Sequence, residues 1–171
     1  MRVGIGYDSH RFESRRPLVL GGVQVPDHPG LKGHSDGDAV AHALIDALLG
    51  AAALGDIGRH FPDTDARWQG ADSMELLAAT VRLIQEQSYQ VVNADITIVA
   101  ESPRVASWVD AMAVCISECL GIARSCVSIK GKTNEGMGWI GRGEGLAVMV
   151  AVLLDQTGDI DTLHASIRTG G

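Results

Sequence analysis

The order of apolar patterns along this chain predicts an α/β fold: an α+β sandwich in which a mixed β-sheet carries its helices on one face. Three observations carry that prediction. Segments Met1–His10, Tyr89–Ala100 and Leu146–Leu154 are rich in Val and Ile or alternate apolar with polar residues, as strands do. Segments Ala39–Leu54, Ser73–Gln87 and Pro103–Leu120 repeat Ala, Leu and Val at helical spacing. The two kinds alternate after an opening run of strands, and the 171 residues show neither an internal repeat nor a linker, so they make one domain.

Taken in order, Met1-Arg-Val-Gly-Ile-Gly-Tyr-Asp-Ser-His10 reads as the first strand and Glu13–Arg16 as a charged turn. Leu18–Val25 reads as two short strands around Gly21-Gly22, closed by Pro26. Asp27–Asp38 is expected to be a loop, and the helix over Ala39–Leu54 has Ser35, Asp36 and Asp38 as capping candidates and Gly55 as its stop. Gly55–Ser73 is a long polar stretch of the kind that often serves function. A second helix over Ser73–Gln87 leads to a strand at Tyr89–Ala100 and a third helix at Pro103–Leu120, stopped by Gly121. Val127–Lys130 is expected as a strand, Gly131–Gly145 as a glycine-rich loop and Leu146–Leu154 as the last strand. The domain is expected over 1–155, with 156–171 a poorly structured tail holding one helical turn around Leu163–Ile167. Helices on one face leave the other face of the sheet to be buried, which favours oligomerisation.

Hydrophobic residues make up 46% of the chain and charged residues 20%, the balance of a globular domain. Aromatics are only 4%, so Ala, Val, Leu and Ile must build the core. A net charge of −7 argues against a nucleic-acid binder. It leaves room for a phosphate-bearing small molecule, because a bound cation can supply local positive charge. Three cysteines without zinc-ribbon spacing read as reduced core residues. No signal peptide and no membrane span are evident, which places the expected protein in the cytoplasm with no membrane partner.

On the first strand Asp8 and His10 share a face, about 7 Å apart along the backbone. Together with His42 they offer two imidazoles and a carboxylate, an open set that suits zinc and also serves non-haem iron. Asp46 lies one turn beyond His42 and is a candidate to orient its ring from behind. His34 and Ser35 precede the same helix, where an anion finds free N–H groups. Phe61-Pro-Asp-Thr-Asp65 reads as a substrate-facing turn. Lys132, Thr133 and Glu135 offer a hydroxyl for phosphate and a carboxylate for a magnesium-type cation. Gly141-Arg-Gly-Glu-Gly145 lacks the spacing of a P-loop, and its Arg142 and Glu144 can pair.

Gly4-Ile-Gly-Tyr-Asp-Ser-His10, Gly33-His-Ser-Asp-Gly-Asp-Ala39 and the run from Asp46 to Gly58 closely resemble the 2-C-methyl-D-erythritol 2,4-cyclodiphosphate synthase family. The resemblance continues through Phe61–Asp65, Gly70-Ala-Asp-Ser73 and Gly141–Gly145 and spans roughly 1–155 in unbroken order. It implies a homotrimer whose sheets face the three-fold axis and whose active sites lie between subunits. It also implies the lyase reaction of non-mevalonate (MEP-pathway) isoprenoid and terpenoid biosynthesis. There the cytidine diphosphate substrate, 4-diphosphocytidyl-2-C-methyl-D-erythritol 2-phosphate, closes to the cyclic diphosphate and releases CMP.

By the same resemblance Asp8, His10 and His42 hold one zinc ion per subunit and Glu135 a magnesium or manganese ion that comes with substrate. His34 and Thr133 act on the phosphates with Ser35. Asp56, Gly58 and Asp63 fall where the family holds the methylerythritol part, and Ile57, Phe61, Pro62, Thr64 and Asp65 beside them are substrate-binding candidates. Ala100, Glu101, Ser102, Pro103, Arg104, Val105 and Ala106, with Lys132, surround the cytidine, and Asn134 is a further substrate-binding candidate at a variable position. Trp139, Arg142 and Glu144 fall near a central channel where an isoprenoid diphosphate is a candidate ligand. Ala100-Glu-Ser-Pro-Arg104 departs from the family's commoner Ala-Gln-x-Pro-Lys, so Arg104 stands in for a lysine. Two other classes remain open: a zinc-dependent phosphoester or diphosphate hydrolase, and a non-catalytic isoprenoid-binding trimer. Half of a larger bifunctional enzyme is not expected.

Overall fold

A computed structural model of the chain describes residues 1–157. Strands β1 (Arg2–Glu13), β2 (Leu18–Leu20), β3 (Val23–Val25) and β4 (Gly30–Leu31) are followed by helices α1 (Ala39–Ala52), α2 (Ile57–His60) and α3 (Ser73–Glu86). Then come β5 (Tyr89–Val99), α4 (Val109–Leu120), β6 (Val127–Lys132), α5 (Gly138–Gly141) and β7 (Gly145–Gln156). The main sheet has the order β4-β1-β7-β5-β6, and β2 and β3 form a separate hairpin. Among the described residues only β5 and β6 run parallel, joined through α4; the other pairs are antiparallel, which makes the sheet mixed as expected.

The helices lie on one face. Leu44, Leu48, Leu77, Ile84, Met112 and Ile116 of α1, α3 and α4 are buried against Ile96, Ile98, Val148, Val150 and Leu154 of the sheet. Along β1 only Gly4 and Gly6 are buried, while Val3, Ile5 and Tyr7 on the opposite face stay 69%, 73% and 56% exposed. Val3 pairs with Leu153 and Tyr7 with Met149, itself 52% exposed, so the second face carries a continuous apolar patch across β1 and β7.

Several boundaries move for local reasons. The loop 27–38 contains β4, because Phe12 and Glu13 extend β1 far enough to pair with Leu31 and Gly30. Helix α1 ends at Ala52, where Ala53 enters the left-handed region (φ 60°) and returns its N–H to Gly50 and Leu49; Gly55 lies outside. The stretch 55–73 is not bare loop: it holds α2 and a 3-10 turn at Ala66–Trp68, each capped by the aspartate before it, Asp56 and Asp65. The third helix splits, with a 3-10 turn at Val105–Ser107 before α4 starts at Val109. Pairing with β5 carries β6 on to Lys132 and β7 on to Gln156. The expected turn at 163–167 lies outside the described residues.

Candidate metal centre and substrate clefts

The site starts from a close approach. A β-carbon on Gly4 would stand 1.9 Å from the Ala47 carbonyl oxygen, and one on Gly6 the same distance from that of Ala43. Glycine at both positions therefore lets α1 lie directly on β1, and His42 reaches the strand's inner face beside Asp8 and His10. The two imidazole rings sit 5.3 Å apart between centroids. Asp8 Oδ2 is 2.9 Å from His10 Nδ1 and 3.2 Å from His42 Nδ1, and all three side chains are less than a quarter exposed. One donor atom from each lies within 4.8 Å of the others.

Burial works to raise the Asp8 carboxyl, but the imidazoles of His10 and His42 beside it outweigh burial and hold the group well below the usual carboxylate range. Burial likewise works to lower His42, and Asp8 outweighs it, pushing the imidazole above 6.5. His10 Nδ1 is buried and close to Asp8 yet has no aligned hydrogen-bond partner. A buried polar atom left this way is costly unless something else binds it. Two imidazole nitrogens and a carboxylate oxygen converging on one point fit a divalent cation, and the donor set suits zinc and also iron(II).

Asp46 does not orient His42. Its carboxylate accepts the Ile57 N–H at 2.8 Å and so fastens α2 to α1. The far nitrogen of His42, Nε2, instead meets Ser35 Oγ at 2.9 Å and Ser73 Oγ at 3.0 Å. Asp36, expected as a cap of α1, bonds Ser73 on α3 through both its backbone N–H and its hydroxyl. Asp38 alone caps α1, accepting from Val40 and Ala41.

Beside the cluster opens a cleft of about 370 Å³ lined by His10, His34, Ser35, His42, Ile57, Gly58, Phe61, Pro62 and Asp63, with Trp68 and Leu76. Thr64 and Asp65 are not in its lining, and Asp65 is engaged with Arg67. The Asp56 carboxylate accepts the Arg59 N–H at 3.0 Å. A second cleft of about 430 Å³ is lined by Ala100, Pro103, Arg104, Val105, Ala106, Lys132 and Thr133, with Ile98, Val109, Ile129 and Gly131. Glu101 and Ser102 are outside that lining. Glu101 accepts the N–H groups of Asn134 and Gly136 and so shapes the neighbouring loop.

In that loop Thr133 donates to Glu135 Oε1 at 2.8 Å, and Glu135 holds φ at 52°, a strained conformation for a residue with a side chain. Trp139 and Arg142 line neither cleft, and Arg142 pairs with Glu144 at 2.7 Å. The two clefts share no residue. One draws on β1 and the other on β5 and β6, with β7 between.

The sequence profile of the YgbB family matches residues 1–155, which hold both clefts and all but the last residue of the sheet. The chain belongs to the YgbB family. This YgbB chain is 54% identical to the 2-C-methyl-D-erythritol 2,4-cyclodiphosphate synthase of Symbiobacterium thermophilum over 154 residues, 90% of this chain and 98% of that protein. It is 52% identical to the enzyme of the same name from Brachyspira hyodysenteriae over 92% of this chain and 99% of that one. Among solved structures, a 2C-methyl-D-erythritol-2,4-cyclodiphosphate synthase in its CDP-bound form superposes with a TM-score of 0.83 at 38% identity, covering 90% of this chain and all of that one. The bifunctional IspDF from Campylobacter jejuni superposes at 0.88 with 44% identity over 91% of this chain, which spans 42% of that longer protein.

Sequence reasoning missed four contributors to the YgbB site. Trp68 and Leu76 line the metal cleft, Ser73 touches His42, and Arg16 donates to the carbonyl oxygens of Gly33 and Ser35 on either side of His34. Ser73 carried a signal, since it closes the Gly70-Ala-Asp-Ser73 block. Arg16 carried none, because a charged turn gives no hint of the loop it will face.

Proposed function

We propose that this chain converts 4-diphosphocytidyl-2-C-methyl-D-erythritol 2-phosphate into 2-C-methyl-D-erythritol 2,4-cyclodiphosphate with release of CMP, a step of non-mevalonate isoprenoid biosynthesis. The observation that carries the reading is the Asp8–His10–His42 cluster beside a cleft walled by Ile57, Gly58 and Asp63, in a chain more than half identical to an enzyme of that name. A zinc ion at Asp8, His10 and His42, and a magnesium or manganese ion at Glu135, would supply charge neutralisation on the phosphates.

The chain's own residues do the aligning. Asp63 and the backbone of Ile57 and Gly58 hold the methylerythritol end, and residues 100–106 with Lys132 hold the cytidine. His34 and Thr133 hydrogen-bond the phosphate oxygens between them. The substrate's 2-phosphate oxygen forms the new bond to the β-phosphorus. The bond from that phosphorus to the CMP oxygen breaks, and CMP leaves with the electron pair. No side chain has to act as nucleophile, because phosphoryl transfer depends on positioning and charge. Closing one flexible molecule on itself also recovers the entropic advantage of an intramolecular reaction.

The reading takes a homotrimer as the working unit. One fact supports it: an apolar face on β1 and β7 that a neighbouring copy would cover. The cytidine cleft of one subunit would then complete the metal cleft of the next, and Trp139, Arg142 and Glu144 would face a channel suited to an isoprenoid diphosphate. The unpaired Cys115, Cys119 and Cys126 support a reducing, cytoplasmic setting. No helix among the described residues is long and apolar enough to cross a membrane.

The test is to incubate the protein with the cytidylyl substrate, with and without magnesium, and follow the products by phosphorus NMR. Cyclic diphosphate plus CMP, lost at least 100-fold in a folded His42→Ala variant, is the expected result. Linear diphosphate would make the protein a hydrolase, and no turnover by a metal-loaded trimer would leave it a binding protein.

A further inference from the structure

Three hydrogen-bonding groups stand in line behind the metal cluster, and the chemistry of the first fixes the direction of all. Ionised Asp36 can only accept. It receives the Asp38 N–H at 3.1 Å, the Ser73 N–H at 3.1 Å and the Ser73 hydroxyl in a short contact. The Ser73 proton is thereby spent, so Ser73 Oγ can only accept from its other neighbours. Those are Ser35 Oγ at 3.1 Å and His42 Nε2 at 3.0 Å. Ser73 is fully buried, which leaves no water to reverse the arrangement. Ser35 Oγ also lies 2.9 Å from His42 Nε2 and can send its own proton to Ser73 Oγ, so His42 Nε2 is the donor to these hydroxyls. Its other nitrogen, Nδ1, bonds Asp8 Oδ2 at 3.2 Å in the metal-free protein and offers a lone pair to a cation once that proton leaves.

We infer that Asp36 and Ser73 are positioning residues that hold His42 with its proton on Nε2 and its Nδ1 presented to the metal ion. The inference rests on the metal reading given under the proposed function and names what that reading leaves open: which groups orient the ligand. The carboxylate does not touch the imidazole; it acts through a serine hydroxyl carried on a different helix. Because Asp36 precedes α1 and Ser73 opens α3, the relay also sets the ring's direction by the packing of those two helices.

The test uses the full-length protein with cobalt(II) in place of the resident metal, its dissociation constant measured by competition with a chelating dye. Zinc-loaded protein with nitrogen-15 histidine reports the Nε2 proton directly by NMR. Wild type is expected to bind cobalt with the visible spectrum of a low-coordinate site and to show a slowly exchanging His42 Nε2–H resonance. Ser73→Ala is expected to weaken cobalt binding roughly ten- to 100-fold, the usual effect of losing a partner behind a metal ligand. It should also lose the protected Nε2–H signal while keeping the wild-type circular dichroism.

Asp36→Asn, which keeps size and fold but lets an amide N–H compete for Ser73 Oγ, is the second variant and should move both readouts the same way. A folded variant of either kind with wild-type affinity and an intact Nε2–H signal would overturn the relay while leaving the metal reading standing. Failure of the wild type to bind cobalt or zinc would overturn the metal reading, and the relay with it.

Discussion

The carbonyl oxygen of Ala43 occupies the place where a β-carbon on Gly6 would stand, 1.9 Å from it. That contact lets α1 settle on β1 and brings His42 beside Asp8. A methyl group there has to push the helix backbone away, since no flexible side chain can yield. Gly6→Ala is therefore expected to destabilise the fold by about 3 kcal/mol or more, at the upper end for overpacking. It should also cost metal binding beyond what the lost stability explains. Denaturant unfolding and metal content measured on the same preparation check both, and a wild-type transition would refute the close-approach argument.

Asp38 is fully buried and accepts four backbone N–H groups, from Gly21, Gly22, Val40 and Ala41. It caps α1 and pins the turn of the β2–β3 hairpin with one carboxylate. Asp38→Ala loses a cap and leaves buried donors unpaired, so a loss of roughly 2–4 kcal/mol is expected. The denaturation midpoint reads it directly; a shift under 1 kcal/mol, the order of a surface change, would mean that water replaces the carboxylate.

Arg16 donates to the carbonyl oxygens of Gly33 and Ser35, and so brackets His34. Gly70 N–H holds the His34 carbonyl oxygen from the other side at 2.9 Å. Arg16→Ala should leave the core intact and loosen this loop. The expected outcome is a loss in kcat/KM of about ten-fold with the unfolding transition nearly unchanged. Equal losses in stability and activity would make Arg16 a fold residue only.

Metal uptake should fall on acidification. In the metal-free protein Asp8 holds His42 above its ordinary value of 6.5, so the ring stays protonated at higher pH than free imidazole. Its contribution to stability is full below 6.5 and is lost as pH rises through the raised value. Asp8, held low, contributes above 3.8 and loses that contribution as pH falls through its folded value. Zinc needs the neutral ring, so its apparent affinity should weaken up to roughly ten-fold per pH unit below the His42 value. Dye competition across that range tests this, and a flat profile would remove His42 from the ligand set.

The exposed apolar face offers a test of assembly. Ile5, 73% exposed at the centre of β1, pairs with Ala151 of β7. Ile5→Glu places a charge in the face that the proposed trimer buries. Light scattering should then report a mass near that of one 18.0 kDa chain, against three for the wild type. A variant that stays trimeric would move the interface elsewhere.

Much of the fold was legible because the sequence is locally consistent. The Val and Ile alternation of 89–99 and the Ala and Leu periodicity of 39–52 each allow one kind of element. Three short elements were not legible: β4 exists because a neighbouring strand pairs with it, α2 because an aspartate caps it, and α5 lies within the glycine-rich stretch that reads as loop. Asp8, His10 and His42 were candidates by side-chain chemistry, and the family resemblance raised them above an ordinary strand-end pair and a surface histidine. The partner of His42 was not, since an aspartate one turn away looked the natural choice and a serine 31 residues on supplied the contact.

By itself the sequence determined the fold class, the family and the three side chains proposed to hold a metal. Only the tertiary structure decided how His42 is oriented, where Asp46 and Asp36 spend their carboxylates, and that the two clefts form at different strands of the sheet. The physical reason is range. Periodicity and ligand chemistry are properties of residues near one another in the chain, whereas the direction of a hydrogen bond depends on which distant helix happens to be packed behind it.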